Sequence, residues 1–216
     1  MKHGAIFDMD GTLFNTEKFY RQAWMDVAEE FGEERNPDVA TAVSGTNLDG
    51  YTRQVIKRFY PNIDAEAYIA RVLEIAREVP EKGLDLMTGV AEILAYFKAA
   101  GVRMAVASSA PVEVIEQNLT KSNLRGYFEA LVGGDMVAKG KPAPDIFLLA
   151  AERLNLAPSD CYIFEDSLNG IRAAAASGGT AIMIPDTVQP TEDVLKICAV
   201  FSSLNEAKAA IEEEYL

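Results

Sequence analysis

Cysteine is almost absent from this 216-residue chain, where only Cys161 and Cys198 occur. Each lies in or beside an apolar run that reads as a buried strand, so both are expected to pack as free thiols, without a disulfide between them. A reducing, cytoplasmic setting fits that usage. Long apolar runs are missing too: none approaches the roughly 18 residues needed to span a membrane. Nor is there a secretory signal pattern, since Met1-Lys2-His3-Gly4 runs directly into a short apolar strand and an acidic motif. Internal repeats and low-complexity segments are lacking. Basic residues are scarce beside acidic ones, 20 against 33, for a formal net charge of −13. Extended contact with nucleic acid or an anionic membrane needs a basic surface to displace counterions, so neither partner is expected. A small molecule is expected instead. No coiled-coil heptads appear, and a monomer is the default.

What is present is enough apolar matter, 49% of residues, to bury one α/β core with a modest insertion. Short apolar runs recur at Gly4-Ala5-Ile6-Phe7-Asp8, Val102–Ala107, Ala130-Leu131-Val132, Cys161–Phe164 and Thr180–Ile184, each followed by a polar or glycine-bearing turn. They read as buried parallel strands. Helical stripes lie between them: Val90, Ile93, Leu94 and Phe97, then Ile146, Leu149, Ala150 and Leu154. Strand and helix in alternation, with right-handed crossovers, predict an α/β doubly wound parallel sheet with its ligand site at the carboxyl ends of the strands.

The stretch from Thr16 to Glu81 breaks that alternation with three or four helical patterns and no convincing strand. Phe19, Ala23, Val27 and Phe31 suggest one helix; Leu48, Tyr51, Thr52, Val55 and Phe59 another; Tyr68, Val72, Ile75 and Val79 a third. Gly32, Pro61-Asn62 and Pro80 punctuate them. The expected division is a core of residues 1–15 and 82–216 with an inserted helical cap of residues 16–81. Bending is expected near Asn15-Thr16 and near Glu81-Lys82-Gly83.

Four polar motifs stand out, and the acidic and hydroxyl ones fall at the strand ends. In Asp8-Met9-Asp10-Gly11-Thr12, residues i and i+2 of an extended segment share a side, and Gly11 permits a sharp turn. Two acids so close raise each other's pKa unless a cation holds them ionised, which makes Mg²⁺ a natural companion. A solvated acidic turn is the plainer reading of Asp8 and Asp10 alone. Glu165-Asp166 follows another strand and belongs to the same sheet edge, although helix N-terminal charge would also account for it. Ser108-Ser109 precedes Pro111 and a helix; hydroxyls and free N–H groups there suit a phosphate, or simply cap the helix. Lys141 stands in the rigid frame Gly140-Lys141-Pro142-Ala143-Pro144-Asp145. An exposed loop lysine is the ordinary alternative. The acidic field repels phosphate overall, so a phosphate site needs a local reversal of sign, which a metal ion and Lys141 would provide.

Taken in order, these four motifs resemble the haloacid dehalogenase superfamily, specifically its β-phosphoglucomutase-like phosphatases and phosphomutases with a small helical cap after the first strand. The resemblance covers nearly the whole chain. It implies Asp8 as the nucleophile that forms an aspartyl-phosphate and Asp10 as the acid that protonates the leaving oxygen, then the base that takes a proton from water. It implies Mg²⁺ held by Asp8, the Asp10 carbonyl and Asp166, with Glu165 contributing directly or through water. Lys141 and Ser108 would bind phosphoryl oxygens, with Ser109 and Thr12 adding contacts. Lys139 falls outside the Gly-Lys-Pro-x-Pro-Asp frame and is expected to be solvated.

Carbon–halogen hydrolases of the family typically carry an aromatic residue two places after the nucleophile; Asp10 there points to phosphoryl transfer. The expected activity is hydrolysis of a small phosphorylated metabolite, a sugar phosphate foremost. A β-phosphoglucomutase-type phosphomutase is the alternative, and a non-catalytic binding protein on the same fold a third possibility. A mutase grips a distal phosphate with a cap arginine and restrains its acid/base with a hinge histidine. Here Leu48, in Ser44-Gly45-Thr46-Asn47-Leu48, and Tyr20 stand near those places, and the only histidine is His3. Arg53 is the first candidate for a replacement charge. Asn15 departs from the family, where an acid often stands, and is assigned no chemistry.

Overall fold

The computed structural model describes residues 1–43, 50–77 and 83–214. Along the chain the elements run β1 (Gly4–Phe7), α1 (Thr16–Glu30), α2 (Pro37–Val43), α3 (Gly50–Phe59), α4 (Ala65–Arg77), α5 (Val90–Ala99) and β2 (Arg103–Ser108). They continue with α6 (Val112–Lys121), β3 (Ala130–Gly133), α7 (Asp145–Arg153), β4 (Cys161–Glu165), α8 (Leu168–Ser177), β5 (Thr180–Met183), β6 (Ala199–Val200) and α9 (Leu204–Glu212). Contacts divide the chain into two compact units, Met1–Asn15 with Lys82–Leu216, and Thr16–Glu81.

The first unit is built on a six-stranded sheet ordered β3-β2-β1-β4-β5-β6. Every pairing is parallel, and the alternation of strand and helix expected from the sequence is the one found. Strands buried on both faces need continuous apolar runs, and β1 is buried at all four positions. Phe7 on β1 lies opposite Phe164 on β4, their rings stacked with centroids 4.6 Å apart. Val90, Ile93, Leu94 and Phe97 of α5 are all buried, as the helical spacing requires. On α7, Ile146, Phe147, Ala150 and Ala151 are buried. Cys161 is buried in β4 and Cys198 half-buried, both as free thiols.

β6 went unread in the sequence. It has two half-buried residues, too short for a periodic signal. β1 sits in the middle of the sheet, so the turn after it is flanked by the ends of β2 and β4. That turn is tied down by Gly11 N–H donating to Phe14 O at 2.9 Å and by Leu13 and Phe14 N–H donating to Met9 O. Asn15 N–H donates to Asp85 O and Met87 N–H to Leu13 O, so the segment leaving this unit runs beside the one that re-enters it.

The second unit is helical. Its core gathers Trp24, Val27, Ala28, Val39, Ile56, Tyr60, Tyr68, Ile69 and Val72, with Tyr68 at the centre: its hydroxyl donates to Trp24 O at 2.5 Å and its ring stacks on Trp24. α1, α3 and α4 answer to the three stripes expected, and α2 is a further short helix after Pro37. Leu48, the turn Ser44–Leu48, Val79, Pro80 and the Glu81-Lys82 part of the expected second hinge lie outside the described residues. Among the described residues, no helix is long and apolar enough to cross a membrane.

Candidate active site

Asp8 is the first residue after β1. Its N–H donates to Phe164 O at 2.9 Å, which continues the β1–β4 ladder by one bond and leaves the carboxylate at the strand's carboxyl end. The side chain is buried. Lys141 reaches the same point from the loop before α7: its Nζ lies 2.5 Å from Asp8 Oδ1 and 2.7 Å from Glu165 Oε1, and 3.4 Å from Ala107 O. The same Nζ lies over the Phe147 ring, 5.0 Å from its centroid. The Lys141–Pro142 peptide is cis. Lys139, two residues earlier, is exposed.

Glu165 ends β4 with both oxygens engaged. Oε1 faces Lys141, while Oε2 accepts from Ser167 N–H at 2.6 Å and from Ser167 Oγ at 2.9 Å. Ser167 also caps α8, its hydroxyl oxygen accepting from Gly170 N–H at 3.0 Å. A side chain at position 170 would overlap the Glu165 carboxylate, and one at Gly11 would strike Asp166. Gly11 in addition has φ +75°, so glycine is required there on both counts.

A cavity of about 250 Å³ is lined by Asp8, Asp10, Ser108, Ser109, Lys141, Glu165, Asp166 and Ser167. Seven of these come from the four sequence motifs read as chemical; the eighth, Ser167, directly follows the Glu165-Asp166 pair and was given no role. Its signal was there: a serine three residues before a glycine at a strand-to-helix turn is an N-cap pattern. Ser108 Oγ accepts from Ala110 N–H at 3.1 Å. Thr12 departs from expectation. It is fully buried, is not among the lining residues, and its hydroxyl has no hydrogen-bond partner among the described residues, because the turn after Gly11 carries it inward.

Charge is out of balance here. Asp8, Glu165 and Asp166 each offer an oxygen within 4.8 Å of the others, and among the described residues Lys141 is the single cation lining the cavity. Burial, together with the neighbouring Glu165 and Asp10, pushes the Asp8 carboxyl up to about 7 although Lys141 pulls it down. Burial, then Glu165 and Asp8, pushes Asp166 up to about 9. Burial works against the Lys141 ammonium, but Asp8 and Glu165 outweigh it and hold the pKa above its usual range. Hard carboxylate oxygens in excess of the positive charge available suit a divalent cation, and the residues present fit one.

The fold and site together define an α/β protein with a doubly wound parallel sheet and a carboxylate cluster, able to hold a cation, at the carboxyl ends of its central strands. The chain belongs to the haloacid dehalogenase-like hydrolase family, whose model matches residues 5–184, and it is of the β-phosphoglucomutase-like kind. It is 33% identical over 208 residues to the phosphorylated carbohydrates phosphatase of Thermotoga maritima, covering 96% of this chain and 89% of that protein. To the fructose-1-phosphate phosphatase YqaB of Escherichia coli it is 33% identical over 180 residues, 83% of this chain and 94% of that one. Among solved structures, a candidate β-phosphoglucomutase from Thermotoga maritima superposes with a TM-score of 0.84 at 30% identity, covering 99% of each chain.

Proposed function

We propose that the chain is a Mg²⁺-dependent phosphatase acting on a small phosphorylated metabolite, a sugar phosphate foremost, through an aspartyl-phosphate on Asp8. It is a phosphoric monoester hydrolase by kinship, and two of its relatives are named for phosphorylated carbohydrates. The observation that carries the reading is the Asp8 carboxylate, buried yet bordering the cavity and held 2.5 Å from Lys141 Nζ.

Asp8 attacks phosphorus in line as the ester P–O bond breaks, and Asp10 gives its proton to the departing alcohol oxygen. Asp10, now ionised, takes a proton from a water that attacks the phosphorus of the acyl phosphate. The Asp8–phosphorus bond breaks, inorganic phosphate leaves, and Asp8 is again a carboxylate. Lys141 offsets charge between Asp8 and the incoming phosphoryl oxygens, while Ser108 and Ser109 donate to those oxygens. Asp8, the Asp10 carbonyl and Asp166 would hold Mg²⁺, which when bound neutralises the carboxylate surplus and draws charge from the phosphoryl group. Since both Glu165 oxygens already have partners, Glu165 is assigned to holding Lys141 and to the cation only through water.

The test is hydrolysis of an aryl phosphate and a panel of phosphorylated carbohydrates, before and after EDTA and with Mg²⁺ restored. Activity that vanishes with EDTA and returns with Mg²⁺ supports the reading; metal-independent hydrolysis sinks it. Likeness to the candidate mutase favours isomerisation as a second reading. Against it, Arg53 is paired with Glu66 within the helical unit, and tyrosine stands at position 20. With β-glucose 1-phosphate and a trace of the 1,6-bisphosphate, free phosphate should therefore appear faster than glucose 6-phosphate.

A further inference from the structure

We infer that Asp135 is a positioning residue for the loop that carries Ser108 and Ser109, capping α6 from a different part of the chain; the inference rests on the phosphatase reading above. α6 begins at Val112, and its N-cap is Pro111, which makes no side-chain cap bond. The loop therefore has no capping side chain of its own. Asp135, in the turn Gly134–Met136 after β3, supplies one: Val112 N–H donates to its Oδ1 at 3.0 Å. A carboxylate accepting at a helix start gains from both hydrogen bond and helix dipole.

Two further features make the contact a clamp. Gly134 N–H donates to Ala110 O at 3.0 Å, so the turn grips the loop at a second point. The two backbones also lie too close for side chains: one at Gly133 would strike Val112 N and Ala110 O, and one at Gly134 would strike Ser109 O. Ala110 is in turn the residue whose N–H donates to Ser108 Oγ. Asp135 thus acts on the cavity through backbone, without lining it. The same turn opens the segment running to Lys141, so the hydroxyls and the lysine share one anchor.

Asp135 is exposed, and its replacement spares the hydrophobic core. For D135A we expect KM and the inhibition constant of inorganic phosphate to rise together by about fivefold, the scale of a lost cap, with kcat within about twofold. D135N keeps an acceptor oxygen and should stay near wild type. A lower melting temperature with KM and phosphate inhibition unmoved, or D135N failing as badly as D135A, overturns the inference. Hydrogen exchange of the amides of residues 110–114 reads the loop without turnover: faster exchange in D135A, reversed in D135N, supports the clamp, and unchanged exchange refutes it. Should D135A not fold, D135N against D135E, whose acceptor is misplaced by one methylene, makes the same comparison. Absence of hydrolysis by the wild type would remove the phosphatase reading and leave the exchange result to decide on Asp135.

Discussion

Both units carry surface ion pairs, Arg103–Glu129 and Arg172–Asp193 among those of the core unit, but the core unit adds a buried set. In the helical unit Arg71 meets Glu30 and Glu74, and Arg35 meets Asp26 and Glu29, all on the surface, with the Arg71 and Glu30 side chains 35% and 43% exposed. In the core unit Lys141 meets Asp8 and Glu165 with side chains 8% exposed or less. Water screens the first set and leaves it nearly neutral in energy. The second set is costly to hold and costlier to break. Buried charge that adds little net stability points to function, which is why the catalytic reading rests on one unit alone.

The comparison breaks most sharply at Asp8. Asp8→Asn keeps the shape but not the nucleophile, so turnover should fall on the order of 10⁴-fold with an unchanged circular dichroism spectrum; a large residual rate would end the mechanism. Lys141→Ala strips the cluster of its ammonium. We expect a loss of about 3–5 kcal/mol in urea unfolding at pH 8, shrinking toward pH 5 as the carboxylates take up protons.

A finer test uses pH on metal-free protein. Asp8 and Asp166 are raised from an ordinary 3.8 to about 7 and about 9, so between about pH 4 and 9 the folded state keeps protons that the unfolded chain has lost. Stability must then fall as pH rises through that window. The melting temperature should decline from pH 5 to pH 9, and the rise produced by Mg²⁺ should grow with pH, since the cation needs ionised ligands. A Mg²⁺ effect independent of pH would contradict the cluster. At the small end, Arg71→Ala should leave both the unfolding midpoint and the rate near wild type; a large loss there would erase the contrast between the units.

Strong periodicity made most of this legible. β1 to β5 announced themselves as apolar runs, and the α5 stripe was buried at each position read. β6 was not legible because two half-buried residues carry no period. Phe147 escaped although Phe147, Ala150, Ala151 and Leu154 keep the helical spacing and pack into the core, because the stripe read from Ile146 runs along the neighbouring edge of the same face. Three of the four polar motifs were readable because each follows a strand end directly, and in a parallel sheet all strand ends share one edge; Lys141 was readable from its glycine- and proline-framed loop before α7. Thr12 shows the limit: a turn can rotate a neighbour of Asp8 inward, and only coordinates record the rotation. Asp135 shows another, since capping from a distant segment leaves no local pattern.

The place of β1 in the sheet bears on synthesis as well as on chemistry. Gly4 pairs with Arg103 on one side and Cys161 on the other, so the strand behind Asp8 gains its neighbours only once most of the chain has left the ribosome. The helical unit, by contrast, draws its core from one uninterrupted stretch of sequence. A nascent or truncated chain ending before Cys161 lacks Glu165, Asp166 and half the pairing of β1. On the proposed mechanism such a fragment holds Asp8 without the groups it acts with, and should leave phosphate esters untouched until translation has passed the fourth strand.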